Sequence, residues 1–109
     1  MMWTIEYYEQ SDGVQPAEKF EDWLDQKHPK LSGKLVRATD RLAELGPQAG
    51  AGLVEKCSGY PGLWEVRAIF SQMLARELFG FDGSRAVLLH GYVKRGGRAG
   101  LEAGSGTCG

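Results

Sequence analysis

Three stretches in the second half of the chain specify a sheet: Gly62-Leu63-Trp64-Glu65-Val66-Arg67, Ala75-Arg76-Glu77-Leu78-Phe79 and Val87-Leu88-Leu89-His90-Gly91-Tyr92-Val93-Lys94. They are short, rich in aromatic and branched residues and separated by turn-forming residues, a pattern that predicts three consecutive strands. The Asp82-Gly83 pair before the last stretch is typical of a tight hairpin turn. Hairpin connections make neighbouring strands antiparallel, so we expect an antiparallel meander.

The alternation of side chains within these strands predicts one buried and one polar face, because residues two apart share a face. The residues expected on the buried face are Trp64, Val66, Ala68, Phe70, Val87, Leu89 and Val93. The residues expected on the other, open face are Arg67, Arg76, His90, Tyr92 and Lys94. Two guanidiniums, an imidazole, a phenol and an ammonium group on one surface are typical of a protein that handles phosphate, and they indicate RNA as the ligand.

The first half of the chain predicts a strand followed by two helices. The elements expected ahead of the three strands are a strand over 3–8, a helix from Pro16 to His28, a helix from about Lys30 to Leu45 and a short extended segment over 53–57. Apolar residues recur in each helix at the spacing of a single buried stripe. Within the first helix, Trp23 is expected to anchor the helix on the sheet.

The element order β-α-α-β-β-β predicts an α+β fold in which two N-terminal helices pack on one face of a twisted antiparallel sheet. A chain of 109 residues is one domain by size. We place this domain at residues 1–94. The glycine-rich segment over 95–109 is expected to be a disordered, flexible tail.

Charge and cysteine content limit the possible functions. Residues 1–52 carry six Lys/Arg against nine Asp/Glu, whereas residues 53–109 carry seven against five, so the basic excess lies with the strands. No apolar run approaches the length of about 20 residues that spans a membrane, and the amino end is unlike a signal peptide. Cys57 and Cys108 have no metal-site spacing. We therefore expect a cytoplasmic protein with two free thiols and no metal or other cofactor, and no membrane partner.

The Gly62–Arg67 run, the strand containing Arg76 and the closing Val87–Lys94 run together resemble the RelE/HigB superfamily of bacterial toxins, and in particular its phage-derived HigB-like branch. The resemblance covers the chain from Trp3 to Lys94 and implies a RelE-like arrangement of helices and strands. It also implies the toxin of a type II toxin–antitoxin pair, which cuts messenger RNA in the ribosomal A site without a metal. A cognate antitoxin, commonly a helix-turn-helix protein, would neutralise it.

The implied reaction uses the 2′-hydroxyl of the substrate as nucleophile. Arg67 and Arg76 would stabilise the negative charge that gathers on the phosphate in the transition state. His90 is the first candidate for proton transfer, and Tyr92 or Lys94 could serve instead. The expected RNA-binding residues are Lys56 and Arg95.

Simpler interpretations exist for the same residues. Arg67 and Arg76 could form salt bridges with Glu65 and Glu55. His90 could be an orienting or structural histidine. The protein as a whole could be a toxin-derived interaction protein that binds its antitoxin without cleaving RNA, or a plain RNA-binding domain.

Two departures from the family pattern carry their own expectations. After Lys94 the charged helix typical of the family is replaced by glycine-rich sequence, which predicts a degenerate, frameshifted or truncated C-terminus that could impair activity. Glu77 lies on the side expected to be buried, where an unpaired carboxylate is costly. Either a bulge shifts the register there, or Glu77 pairs with a base such as Arg85.

Overall fold

The computed structural model describes residues 2–50 and 52–95 of the chain. The elements, in chain order, are β1 (Thr4–Tyr7), α1 (Pro16–Lys27), α2 (Pro29–Leu45), a short 3-10 turn (Gly46–Gln48), β2 (Val54–Lys56), β3 (Trp64–Phe70), β4 (Met73–Asp82) and β5 (Arg85–Arg95). Proline occupies the first turn of each helix, where the missing N–H is not needed. The predicted extended segment over 53–57 forms β2. Arg95, assigned to the tail, is the last residue of β5, and the rest of the predicted tail lies outside the described residues.

The five strands form one sheet in the order β1-β5-β4-β3-β2. β3, β4 and β5 make the predicted antiparallel meander, and β2 adds a further antiparallel strand beside β3. β1 lies beside β5 and runs parallel to it, with Thr4 opposite Arg85. The expectation of an antiparallel sheet is therefore wrong at this strand, and the sheet is mixed. A four-residue strand whose partner is about 80 positions away carries no turn signal that would specify its direction.

Both helices pack on the same face of the sheet, which confirms the two-layer α+β architecture. Helical spacing places apolar residues of α1 and α2 on the sides that contact β3, β4 and β5. The buried residues at the centre of this layer are Phe20, Leu24, Leu35, Leu42, Val66, Phe79 and Leu88. Gly91 lies directly below Phe20, where a Cβ atom would approach the ring to 2.2 Å. This glycine therefore permits the close approach of α1 to β5.

A β-bulge between β4 and β5 corrects the predicted faces of the closing strand. Leu78 pairs with His90 and Phe79 with Leu88, so Leu89 is an extra residue. Before the bulge, the buried side chains of β5 are Ala86 and Leu88, whereas Val87 and Leu89 are only half-buried. The expectation that Val87 and Leu89 share the buried face is wrong, because strict alternation fails where a residue is inserted.

Two further findings concern the chain as a whole. Cys57 is disulfide-bonded, so the expectation of free thiols is wrong for this residue. In the part of the chain that the structure describes, no helix is long and apolar enough to cross a membrane.

Candidate functional site

The five residues predicted to be catalytic share the face of the sheet that lies opposite the helices. Arg67 of β3, Arg76 of β4 and Tyr92 of β5 are direct cross-strand partners and form one row. His90 lies two residues before Tyr92 and Lys94 two residues after it, so both share the side of that row. We call this surface the arginine face; it is formed by Glu65, Arg67, Arg76, His90, Tyr92 and Lys94.

Arg76 is the centre of the arginine face and is completely buried. Its Nε lies 3.0 Å from Oε2 of Glu65, and its Nη2 donates to Oε1 of the same carboxylate at 3.2 Å. Its Nη1 donates to the hydroxyl oxygen of Tyr92 at 3.1 Å, and the guanidinium carbon lies 5.9 Å from the centre of the tyrosine ring. Both sides of the guanidinium are thus held by neighbouring strands.

Arg67 is nearly as buried, with 7 % of its surface exposed, and also faces carboxylates. Its Nη1 lies 3.5 Å from Oε1 of Glu65 and 3.7 Å from Oε2 of Glu55. The prediction that both guanidiniums are open to solvent is therefore wrong, and the simpler ion-pair interpretation describes their contacts. The reason is the spacing: Glu65 precedes Arg67 by two residues on the same strand, so its carboxylate lies on the same face, between the two cations.

The ion pairs leave hydrogen-bonding capacity unused on this face. Nε and Nη1 of Arg67 and Nε of Arg76 are buried without a hydrogen bond of good geometry. Burial raises the pKa of Glu65 above its usual range, while the charges of Arg76 and Arg67 oppose that shift. The two guanidiniums face two carboxylates, Glu65 and Glu55, so their charges balance, and what an anion could use is their remaining donors.

His90 and Lys94 are the accessible members of the arginine face. His90 is exposed at the outer edge of β5 next to the bulge, and it therefore also lines a groove of about 420 Å³ between that edge and α1 on the helix side. Lys94 is half-buried and makes no ion pair within residues 2–50 and 52–95. Both side chains are on the same strand as Tyr92, so a phosphate near the tyrosine would lie between an imidazole and an ammonium group.

The structure does not bring the two predicted RNA-binding residues to the arginine face. Lys56 pairs with Trp64, which belongs to the helix-covered side, and its Nζ lies 5.6 Å from the indole ring. Arg95 pairs with Met73 on that same side, and its Nη2 lies 3.2 Å from Nε2 of His28. Both residues are cross-strand partners of residues on the helix side.

Trp23 lies on the surface of the protein. We expected it to anchor α1 on the sheet, but 44 % of its surface is exposed, and it lines the groove beside His90. Phe20 and Leu24 of the same helix are the buried anchors instead. Helical spacing alone could not distinguish them, because Trp23 lies next to the buried stripe and only the position of β5 settles which residues are covered.

An acidic cluster lies on the helix-covered face behind the site. Glu77 is fully buried, neither carboxylate oxygen makes a hydrogen bond of good geometry, and burial together with Glu21 raises its pKa to about 10. The hydroxyl of Tyr7 donates to Oε1 of Glu21 at 2.5 Å, and burial raises the tyrosine pKa. The bulge follows Glu77 without exposing it, and Arg85 pairs with Asp82 and Glu6 instead, so the expected partnership with Arg85 is wrong.

The fold and the arginine face together describe a small α+β protein whose sheet carries clustered basic residues outside its core. The chain belongs to the family described as Phage derived protein Gp49-like (DUF891), which it matches over residues 22–103. This family lies in the RelE/toxin-like group and is associated with toxin-like RNases. The match extends past Lys94, where we expected the family resemblance to end. No match to a curated protein was found.

Proposed function

We propose that this protein is the toxin of a type II toxin–antitoxin pair and that it cleaves messenger RNA on the ribosome. One observation carries the proposal: Arg67, Arg76, His90, Tyr92 and Lys94 share one face of the sheet, and Nε of Arg67 is buried there without a hydrogen-bond partner. Membership of the Gp49-like family supports the same assignment. In this role the natural partners are mRNA in the A site and a helix-turn-helix antitoxin.

In the proposed reaction, the 2′-hydroxyl oxygen of one nucleotide attacks the adjacent phosphorus. A new bond forms between that oxygen and phosphorus, the bond from phosphorus to the 5′-oxygen breaks, and the products are a 2′,3′-cyclic phosphate and a 5′-hydroxyl. We assign His90, the accessible imidazole of this face, to take the proton from the 2′-hydroxyl. The Tyr92 hydroxyl would give a proton to the departing 5′-oxygen, so that the 5′-hydroxyl forms. Lys94 and Arg67 would stabilise the charge on the non-bridging oxygens.

Arg76 contributes indirectly in this proposal. Its guanidinium is occupied by Glu65 and Tyr92, so we assign it to positioning the tyrosine hydroxyl and to raising the local positive potential. Glu65 in turn holds the two arginines side by side. We expect substrate to meet Tyr92, His90 and Lys94 before it meets the guanidiniums.

A second candidate is a toxin-derived protein that binds its antitoxin but does not cleave RNA. The ion pairs of Arg67 and Arg76 with Glu65 favour this candidate, because a guanidinium that already contacts a buried carboxylate is less available to a phosphate.

Induced expression in a bacterial host followed by primer extension on host transcripts separates the two. The informative variant is Lys94→Ala, because the Lys94 ammonium makes no ion pair in the described part of the chain and its loss should leave the fold intact. Lys34→Ala is the matched control, since Lys34 is an exposed lysine on α2. Expression level and a thermal unfolding midpoint are recorded for each protein.

We expect growth arrest and new transcript ends with the unaltered chain and with Lys34→Ala, and at least a tenfold loss of cleavage with Lys94→Ala, about 1.4 kcal/mol in transition-state free energy. Normal growth with the folded, unaltered chain and no new transcript ends would reject the nuclease. Co-purification of an antitoxin with that inactive chain would support the second candidate.

A further inference from the structure

Within the described residues, other strands cover only half of the outer edge of β5. β1 pairs with Arg85–Leu88, and the final bond of this pairing runs from the N–H of Tyr8 to the carbonyl oxygen of Leu88. From Leu89 to Arg95, no other strand of the described chain lies on this side of β5. Seven residues of strand at about 3.3 Å each leave more than 20 Å of edge.

The pairing pattern shows which backbone groups face this edge. Leu88 directs its carbonyl towards β1, and in an antiparallel ladder alternate residues direct N–H and C=O to opposite sides. The bulge at Leu89 shifts this alternation by one residue, so Gly91, Val93 and Arg95 present their backbone groups outward. Unpaired donors and acceptors in a row are a template for another strand.

An apolar groove runs beside the same edge. It has a volume of about 420 Å³, and Val14, Phe20, Trp23 and Gly91 form its apolar walls. A second cavity of about 250 Å³ lies further along, next to His28. Trp23 joins the two, because it lines the first and its ring lies 5.7 Å from the His28 ring. A strand added to β5 would direct alternate side chains into the first groove, whereas Phe70 and Met73 place the second cavity at the turn between β3 and β4.

The charges around the groove select the partner. The ionisable residues that line the two cavities are Lys19, His90, Lys27, His28 and Lys30, and none of the lining residues is Asp or Glu. The acidic residues Glu18 and Asp25 lie on the opposite side of α1 by helical spacing. Arg95 adds one more basic side chain, which contacts His28. An acidic segment therefore complements this edge, and a basic one is repelled.

We propose that the Leu89–Arg95 edge of β5 binds an extended, acidic segment of a partner protein as a sixth strand, with an apolar side chain of that segment seated against Trp23 and Phe20. The backbone bonds to Gly91, Val93 and Arg95 would hold the segment, and the groove and its basic rim would select it. The inference concerns protein binding and does not depend on RNA cleavage.

The test uses the full chain and a seven-residue peptide that alternates Glu with Val and Leu, with a Lys-for-Glu version as the control. Amide hydrogen exchange is followed at Gly91, Val93 and Arg95, and binding is followed by tryptophan fluorescence. We expect the acidic peptide to slow exchange of these three amides by about tenfold or more, with no slowing by the basic peptide.

Two variants test the geometry. Val93→Pro removes an outward N–H without removing a bond to β4, and Val93→Ala shortens the same side chain while keeping the N–H. We expect binding to be lost in the first and kept within about threefold in the second. Trp23→Ala, a change at an exposed position, should weaken binding by about tenfold because it removes the aromatic wall.

The proposal is overturned if the acidic peptide leaves exchange at the three amides unchanged. It is also overturned if Val93→Pro binds like Val93→Ala, or if a uridine heptanucleotide gives the protection in place of the peptide. Because the probe is a peptide and the readout is exchange, a failure to cleave transcripts would leave this result untouched, and a failure here would leave the nuclease assignment untouched.

Discussion

Each face of the sheet buries a carboxylate, but the charged groups around the two carboxylates have opposite signs. Glu65 on the arginine face lies between two guanidiniums, whereas Glu77 on the helix-covered face has the acidic Glu21 as a neighbour that raises its pKa. Burial raises both pKa values, but only at Glu65 do opposite charges resist the shift. The difference teaches that burial alone does not define a site, because the charge of the neighbours decides which form of the carboxyl is stable.

The largest effect on stability should come from removing one of the two cations that flank the buried Glu65. Arg76→Met leaves Glu65 buried beside one guanidinium in place of two, and we expect a loss of about 3–5 kcal/mol in the free energy of unfolding, measured with urea. The double variant Glu65→Leu/Arg76→Met removes both charges and should recover most of that loss. A single variant that costs less than about 1 kcal/mol would mean that the pair is not isolated from water.

Removing the ionisable group of Glu77 should raise the free energy of unfolding instead of lowering it. Glu77→Gln keeps the shape of the side chain and removes the ionisable group, and we expect a gain of about 1–3 kcal/mol in unfolding free energy at pH 8. Glu21→Gln on the same cluster is the companion variant, since it removes the neighbouring acid. Equal stability of the Glu77→Gln and unaltered proteins at pH 8 would mean that the buried Glu77 carboxyl does not destabilise the fold.

The pH dependence of stability is an independent test of whether the buried Glu77 destabilises the fold when it ionises. The folded pKa of Glu77 is about 10 against an ordinary value of 4.5, so the folded state holds more protons between these limits. Its contribution to stability is therefore fully present below about pH 4.5 and decreases as the pH rises towards 10. Glu77→Gln should flatten this decline in a series of urea titrations from pH 5 to pH 9, and an unchanged slope would count against it.

A smaller effect should follow from removing the hydrogen bond that the Arg76 guanidinium donates to a tyrosine hydroxyl on the arginine face. Tyr92→Phe keeps the ring that faces Arg76 and deletes the hydroxyl that accepts from its Nη1. Because the donor is charged, we expect a loss of about 1.5–2 kcal/mol in unfolding free energy by urea denaturation. Tyr60→Phe is the matched control, because Tyr60 is an exposed tyrosine in a loop and should give no change.

The smallest effect on stability should come from Lys94. Because its ammonium makes no ion pair in the described chain, Lys94→Ala should change the free energy of unfolding by less than about 0.5 kcal/mol. The same variant is the one expected to lose RNA cleavage. A stability loss as large as that of Arg76→Met would mean that Lys94 is part of the folded network and would remove its value as a probe of the site.

Alternation and helical spacing in the sequence were sufficient for the two helices, the meander and the placement of Arg67, Arg76, Tyr92 and Lys94 on one face. These patterns are local, because each depends on residues within a few positions of one another. They also indicated that Glu65 and Arg67 share a side, which is why an ion pair was one of the interpretations.

Only the tertiary structure decided four features: the parallel pairing of β1, the bulge at Leu89, the full burial of Arg76, and the half of the β5 edge that no other described strand covers. Each depends on segments far apart in the sequence: β1 meets β5 across both helices, and whether a side chain is covered depends on what packs over it. Residue type and spacing do not reveal which distant segments of the chain contact each other. Local periodicity therefore assigns residues to a face, whereas long-range packing sets whether that face is open, paired or buried.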